Sequence, residues 1–323
     1  MPYDLCAIGN ALVDIIVSAD EAFLQAQGIT KGAMTLVDDA RAASLYEQAG
    51  SAVELSSGGS AANTLAGFAS LGGKCAFLGK VGRDQFGEVF GHDLRAQHVH
   101  FATPASIDLG TGRCLIVVTP DAQRSMNTCL GAAVEFGPED VDVALVQDSA
   151  VTYLEGYLFD KPTAQAAFRK ASKLAHQAGR KMALTLSDSF CVLRHREAFL
   201  ELVKNDVDVL FANESEIKAL YQTDDVHAAL VAAREHTEIA VVTRSERGAI
   251  IAAGEQTHEV PAHAVTTVVD TTGAGDLFAA GFLFGITHGK LLPEAARIGA
   301  IAASEVISHY GPRPQKRLSD LID

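Results

Sequence analysis

A carboxylate on a glycine turn is the residue pattern in this chain most able to do chemistry. In Val268-Val269-Asp270-Thr271-Thr272-Gly273-Ala274-Gly275-Asp276-Leu277-Phe278, an apolar β-type run, Val260 to Val269, stops at small residues. A helix-type run, Asp276 to Gly285, follows directly. A strand end, a glycine turn and a helix N-terminus make an anion site, because free backbone N–H groups and the helix dipole converge there. Gly273 and Gly275 let the backbone come close to a phosphate. Asp276 would repel that phosphate unless it takes the proton of a hydroxyl that attacks it. Helix N-capping is the other role open to Asp after such a turn, and spacing alone does not separate the two.

Other polar residues stand where a ligand could meet them. Asp14 lies inside the alternating run Ala11 to Ser18, either as a solvent-facing strand position or as a carboxylate that receives the hydroxyls of a polyol. In Ser56-Ser57-Gly58-Gly59-Ser60-Ala61-Ala62-Asn63, two glycines precede a helix and Asn63 offers donor and acceptors on its first turn. Capping by Ser57 or Ser60 with tight helix packing fits the same residues. Met34 suits a core or the wall of a ring-binding site.

The elements that must hold these residues alternate for most of the length. Tyr3 to Gly9 reads as a buried first strand, Asp20 to Gln27 and Asp39 to Ala49 as helices, and Lys74 to Val81 as a strand. Ala102 to Ser106, Arg113 to Thr119 and Arg124 to Leu130 read as three strands, a hairpin-rich stretch that predicts a small sheet standing off the main body. From Pro138 onward, strands at Val151–Gly156, Lys181–Leu186, Val207–Ala212 and Ile239–Thr243 alternate with helices. That predicts a parallel sheet covered on both faces, with ligands at the carboxyl ends of strands. Asn213-Glu214-Ser215-Glu216, Thr243-Arg244-Ser245 and Asp270 to Asp276 all fall at such ends.

Composition sets outer bounds. The 323 residues, 48% apolar with 28 Gly and 9 Pro, describe a globular protein. A net charge of -14 argues against nucleic acid or an anionic membrane as partner, so a phosphate site must be local. Five scattered cysteines without metal spacing fit a reducing, cytoplasmic setting, and no secretory signal or membrane span is expected. GxGxxG after the first strand, GxxxxGK[ST], HExxH and GxSxG are all absent.

Together, Gly58-Gly59-Ser60-Ala61-Ala62-Asn63, Gly82-Arg83-Asp84-Gln85-Phe86-Gly87, Asn213-Glu214-Ser215-Glu216 and Asp270-Thr271-Thr272-Gly273-Ala274-Gly275-Asp276 resemble the ribokinase/PfkB family of sugar and nucleoside kinases in order and spacing. The N-terminal half is most similar to the adenosine kinase branch, through Gly9-Asn10-Ala11-Leu12-Val13-Asp14 and Gly28-Ile29-Thr30-Lys31-Gly32-Ala33-Met34-Thr35-Leu36-Val37. The resemblance implies a ribokinase-like three-layer α/β sandwich: one large domain over 1–323, with a discontinuous β lid from about 11–38 and 100–131. It also implies transfer of the γ-phosphoryl of ATP to a hydroxymethyl group, on a nucleoside or, alternatively, on a sugar or keto-sugar acid. A binding protein on the same fold is a third reading.

Residue by residue, the resemblance makes Asp276 the base and puts the amides of Gly273, Ala274 and Gly275 on the phosphoryl oxygens. Arg124 becomes a lid arginine, though a solvated surface arginine fits it equally. Asn10, Asp14, Gly58, Gly59, Ser60, Asn63 and Met34 would bind substrate. Thr243, Arg244, Gly248, Thr272 and Asn213 would face the nucleotide. Asn213 and Glu216 would orient Mg²⁺ through water, with helix capping as their plain alternative. Asp270 and Thr272 would hold a monovalent cation, K⁺ being the expectation. Apolar Met34, Leu36, Val37 and Tyr157 favour a purine, whereas a sugar acid would need a cation such as Arg113. The assembly expected is a monomer or a homodimer. One departure stands out: the family's usual glycine soon after Thr243 is here Ser245, which puts the nucleotide loop in question.

Overall fold

The computed structural model describes residues 2–50, 54–121 and 123–322. Tyr3–Ile8 (β1) is solvent-free from Leu5 to Ile8, as an unbroken apolar run must be when both faces of a strand are covered. The strands that follow are β2 (Leu12–Ser18), β3 (Met34–Leu36), β4 (Glu54–Gly58), β5 (Cys75–Leu78), β6 (Val99–Phe101) and β7 (Gly112–Val118). After them come β8 (Arg124–Cys129), β9 (Ser149–Glu155), β10 (Lys181–Thr185), β11 (Val209–Asn213), β12 (Ile239–Thr243), β13 (Ala249–Ala253) and β14 (Gln256–Val260).

Nine strands form the main sheet in the order β14-β13-β12-β11-β10-β9-β1-β5-β6. It is parallel from β12 to β6, and β13 and β14 close the other edge as an antiparallel hairpin. Alternate residues of each strand feed opposite cores. Leu5, Ala7, Tyr153, Phe211 and Val241 pack with the helices Ser60–Ser70, Ala274–Thr287 and Leu292–Val306. Cys6, Ile8, Leu154, Leu184, Leu210 and Val242 pack with Pro162–Gln177, Arg196–Asp206, Glu214–Tyr221 and Val226–Arg234. The result is the expected three-layer α/β sandwich.

A second sheet, ordered β3-β8-β7-β2-β4, is the small one the hairpin-rich stretch predicts. It takes β4 from outside 11–38 and 100–131, whereas Val99–Phe101 belongs to the main sheet. Two expected strands do not form. Ala102 to Ser106 contains Pro104, which has no N–H to donate, and only Ser106 makes an isolated bridge, to Gly82. The run Val260 to Val269 leaves the sheet at Pro261; Val268 is 55% exposed, and the Val269 N–H donates to Ile307 O of the neighbouring helix end instead. The glycine turn is therefore fed by a loop, not by a strand. All five cysteines are free and buried, and among the described residues no helix is long and apolar enough to cross a membrane.

Candidate active site

Asp276 is the third residue of the Ala274–Thr287 helix and does not cap it. Gly273 is the N-cap, at φ 80°, where a Cβ would lie 2.7 Å from Pro312 O, so glycine is required twice over. No side chain closes that helix end. The Ala274 N–H turns back to Thr271 O at 3.2 Å, while Gly275 faces open space. The Asp276 carboxylate reaches across to the Ser60–Ser70 helix. Ser60 Oγ donates to its Oδ1 at 2.6 Å and Asn63 Nδ2 to its Oδ2 at 3.2 Å. Burial pushes Asp276 up to about 6, against the pull of those two donors and of Arg313. A carboxylate so poised is ionised near neutrality yet accepts a proton readily.

The Ser60–Ser70 helix is held from behind by a residue that sequence reasoning passed over. Glu155, at the end of β9, accepts from Asn10 N (3.3 Å), Asn10 Nδ2 (2.9 Å) and Ala61 N (2.8 Å). Burial pushes it up to about 7, partly offset by these donors. A glutamate closing the apolar run Val151 to Leu154 was the available signal. Gly59, at φ 96°, packs on Asn10 O too closely for any side chain. Asp14 is half-buried and lies against Gly58, where a Cβ would overlap its carboxylate. That is not a freely solvated strand position.

Arg313 and Asp93 are also absent from the sequence reading. Arg313 donates from Nε to Asn63 Oδ1 at 3.3 Å and pairs through Nη1 with Asp93 Oδ2 at 3.0 Å. Arg124 reaches from the small sheet to Asp270 Oδ2 at 3.0 Å, and its guanidinium lies over Tyr310. Asp270 also accepts from Thr272 N, Thr272 Oγ1 and Gly311 N. Burial raises the Asp270 carboxyl, but these hydrogen bonds and the Arg124 charge outweigh it and hold it below the usual range.

Asn213 and Glu216 form a complete capping box. Asn213 Oδ1 accepts from Glu216 N at 2.9 Å, and Glu216 accepts from Asn213 N at 2.9 Å and Nδ2 at 2.6 Å. Burial pushes Glu216 up to about 7. Among the described residues, no three His, Cys, Asp or Glu side chains gather as a metal site. Thr243 ends β12, and Arg244 pairs with Glu259 of β14 at 2.9 Å. Gly248, at φ 78°, abuts Val260 O, and Ser245 sits at φ 52°, a left-handed conformation that favours glycine.

A cavity of about 390 Å³ is lined by Asn10, Leu36, Tyr157, Lys161, Arg194 and His195, among others; neither Asp14 nor Asp276 lines it. Met34 and Leu36 are both 47% exposed, and Val37 is half-buried. Arg113 does not reach the cavity: it pairs with Asp39 at 2.9 Å and stacks on Phe86.

A three-layer sandwich with a second small sheet is a fold of the ribokinase type. The chain matches the pfkB family carbohydrate kinase over residues 28–317 and belongs to that family; it is a kinase. It is 52% identical to the structure of adenosine kinase from Sinorhizobium meliloti, covering 99% of this chain and 98% of that one at a TM-score of 0.91. A "probable sugar kinase" from Rhizobium etli CFN 42 is 50% identical, with 99% and 97% covered and the same TM-score of 0.91. Adenosine kinase of Saccharomyces cerevisiae is 28% identical over 342 residues, 99% of either chain.

Proposed function

We propose that the chain moves the γ-phosphoryl of ATP to the primary hydroxyl of a nucleoside, adenosine first. The observation that carries this is Asp276, set beside a helix end that no side chain caps and gripped by Ser60 and Asn63. Asp276 would take the hydroxyl proton as the oxygen–phosphorus bond forms and the bond to the departing ADP breaks. The backbone around Gly273 and Gly275 would face the phosphoryl oxygens, where donors held in place act without reorganising. Asp14, with Asn10, Gly58, Gly59 and Asn63, would receive the sugar hydroxyls, and Leu36, Met34 and Tyr157 would wall the base.

Arg124 would trade Asp270 for a phosphate, a partner it can bind through two parallel hydrogen bonds. Thr243, Arg244 and Gly248 would border the nucleotide. Mg²⁺, when bound, neutralises charge on the phosphates and keeps most of its waters. Asn213, exposed at the start of its helix, fits a water-mediated hold, whereas Glu216 is buried with both oxygens on Asn213 and would act through it. Asp270 and Thr272 remain the proposed monovalent-cation site, and activity unchanged on replacing K⁺ by a large organic cation would count against it.

A second reading, a kinase of sugars or sugar acids, is favoured by Lys161 at the cavity, where Arg194 and His195 are already paired with Asp160. Phosphotransfer rates from ATP with Mg²⁺ to adenosine, other nucleosides, ribose, fructose and a keto-sugar acid decide between them. Turnover of adenosine well above every sugar is expected; preference for a sugar acid would overturn the nucleoside reading.

A further inference from the structure

We infer that Arg313 is a positioning residue for Asp276, acting through the side-chain amide of Asn63. The inference rests on the reading of Asp276 as the base. Arg313 comes from the segment after the Leu292–Val306 helix, 250 residues from Asn63 in sequence. That segment is tied down twice beside it: Gly311 N donates to Asp270 Oδ2 at 3.0 Å, and the N–H groups of Gln315 and Lys316 donate to buried Glu305 at 3.1 and 3.0 Å.

Amide chemistry turns the geometry into a mechanism. A guanidinium can only donate, so the Asn63 atom facing Arg313 must be the oxygen. The Nδ2 of Asn63 is then fixed towards Asp276 Oδ2, where it donates. Flipping that amide would set its oxygen against a carboxylate oxygen and lose both contacts. Arg313 thus holds Asn63 in the one orientation that serves the base. Asp93 holds Arg313 in turn and is itself held by Ser57 N at 2.9 Å and by Ser57 Oγ.

The Arg313 side chain is only 15% exposed, and its Nη2 is buried without a partner. Burial pushes the guanidinium down from its ordinary value, and the charges of Asp93, then Asp14 and Asp276, oppose that push. Arg313 is therefore the cation among the carboxylates of the proposed sugar grip and the proposed base. Among the described residues, the other titratable groups that feel the Asp276 charge are Tyr153 and Glu155 of β9, Tyr157 after it, and Glu216 of the Glu214–Tyr221 helix. None of these brings a positive charge.

The test compares pH profiles of kcat for the full chain and its variants, with thermal melts alongside. Arg313→Met combined with Asp93→Asn removes the pair without orphaning a buried carboxylate. Expected are a cooperative melt, a loss in kcat of about tenfold or more, and an acid limb moved up by roughly one pH unit, because the cation favours the ionised base. Arg313→Lys, the second variant, keeps the charge but not the Nε donor, so kcat should fall while the acid limb stays near its original position. A folded double variant with native kcat and an unmoved acid limb would overturn the inference, as would native kcat in Arg313→Lys. Asp276→Asn run in parallel separates the two claims. Near-native turnover there would remove the base, whereas a dead Asp276→Asn beside unmoved Arg313 variants removes only the role of Arg313.

Discussion

Two of the helices that carry a carboxylate as their third residue use it in opposite ways. Glu216 of the Glu214–Tyr221 helix folds back on its own start and completes a box with Asn213. Asp276 of the Ala274–Thr287 helix turns away from its own start to Ser60 and Asn63, more than 210 residues distant in sequence. Six other helices are closed by an aspartate side chain, Asp20, Asp38, Asp84, Asp142, Asp188 and Asp225, which places part of the acidic surplus, while the Ser60–Ser70, Pro162–Gln177, Arg196–Asp206 and Leu292–Val306 helices also start without a side-chain cap. A capped helix end has spent its donors and its field on its own residue. The uncapped end turns one N–H, that of Ala274, back to Thr271 O but leaves its field to a ligand, and the carboxylate beside it can serve as a base.

The comparison breaks most sharply at Asp276→Asn. Turnover should fall by about 10²–10⁴-fold, the usual worth of a positioned proton acceptor, while substrate affinity by calorimetry changes little. Its melting temperature should hold or rise, because an amide is easier to bury than this carboxyl. Near-native turnover would return Asp276 to the ordinary class of first-turn acids. Next in size is Asp14→Ala, expected to lower kcat/KM by about tenfold to a few hundredfold through the loss of a charged hydrogen bond to substrate. An effect on kcat alone would place Asp14 outside the sugar grip. Glu216→Ala should show the reverse balance from Asp276→Asn, costing roughly 1 kcal/mol of stability in denaturant titration with a smaller change in turnover. A collapse of turnover with no loss of stability would make Glu216 the more important acid of the two.

Both ends also respond to pH, with opposite consequences for stability and activity. Asp276 is raised to about 6, and Glu216 and Glu155 to about 7. A folded-state value above the unfolded one contributes stability that is complete below the unfolded value, near 4, and is lost as pH rises through 6 to 7. Activity needs ionised Asp276 and should decline as pH falls through about 6. The protein should therefore lose some stability over the interval in which it gains turnover. Glu155→Gln should flatten the fall in melting temperature between about pH 4.5 and 7; an unchanged slope would mean that Glu155 is ionised without penalty.

Much of this was legible in the sequence, for identifiable reasons. Buried parallel strands write themselves as apolar runs, so β1, β9, β10 and β12 fall close to where periodicity puts them. Glycines forced by backbone geometry, Gly59 and Gly273, stand in the motifs that marked the site. Apolarity alone misled at Val260 to Val269, where Pro261 and the end of the hairpin leave no strand to pair with. The hairpin of β13 and β14 and the Leu292–Val306 helix were not read at all. Glu155, Asp93 and Arg313 were hidden for another reason. Each works by meeting a residue far away in the chain, Asn10, Ser57 or Asn63, and local spacing carries no trace of such a meeting.

The smallest effect concerns the nucleotide loop, where Ser245 stands in place of the glycine usual in the family. Its φ of 52° is the conformation such a glycine would adopt freely, so the backbone path is kept and the serine bears the strain. A left-handed conformation costs an ordinary residue about 1 kcal/mol, partly offset here by the greater freedom that glycine has in the unfolded chain. Ser245→Gly should thus raise stability by several tenths of a kcal/mol to about 1 kcal/mol in denaturant titration. It should leave kcat intact, because Ser245 is exposed on the loop after β12 and glycine adopts the same backbone conformation freely. A destabilised Ser245→Gly would show that the serine side chain contributes more than its backbone strain removes.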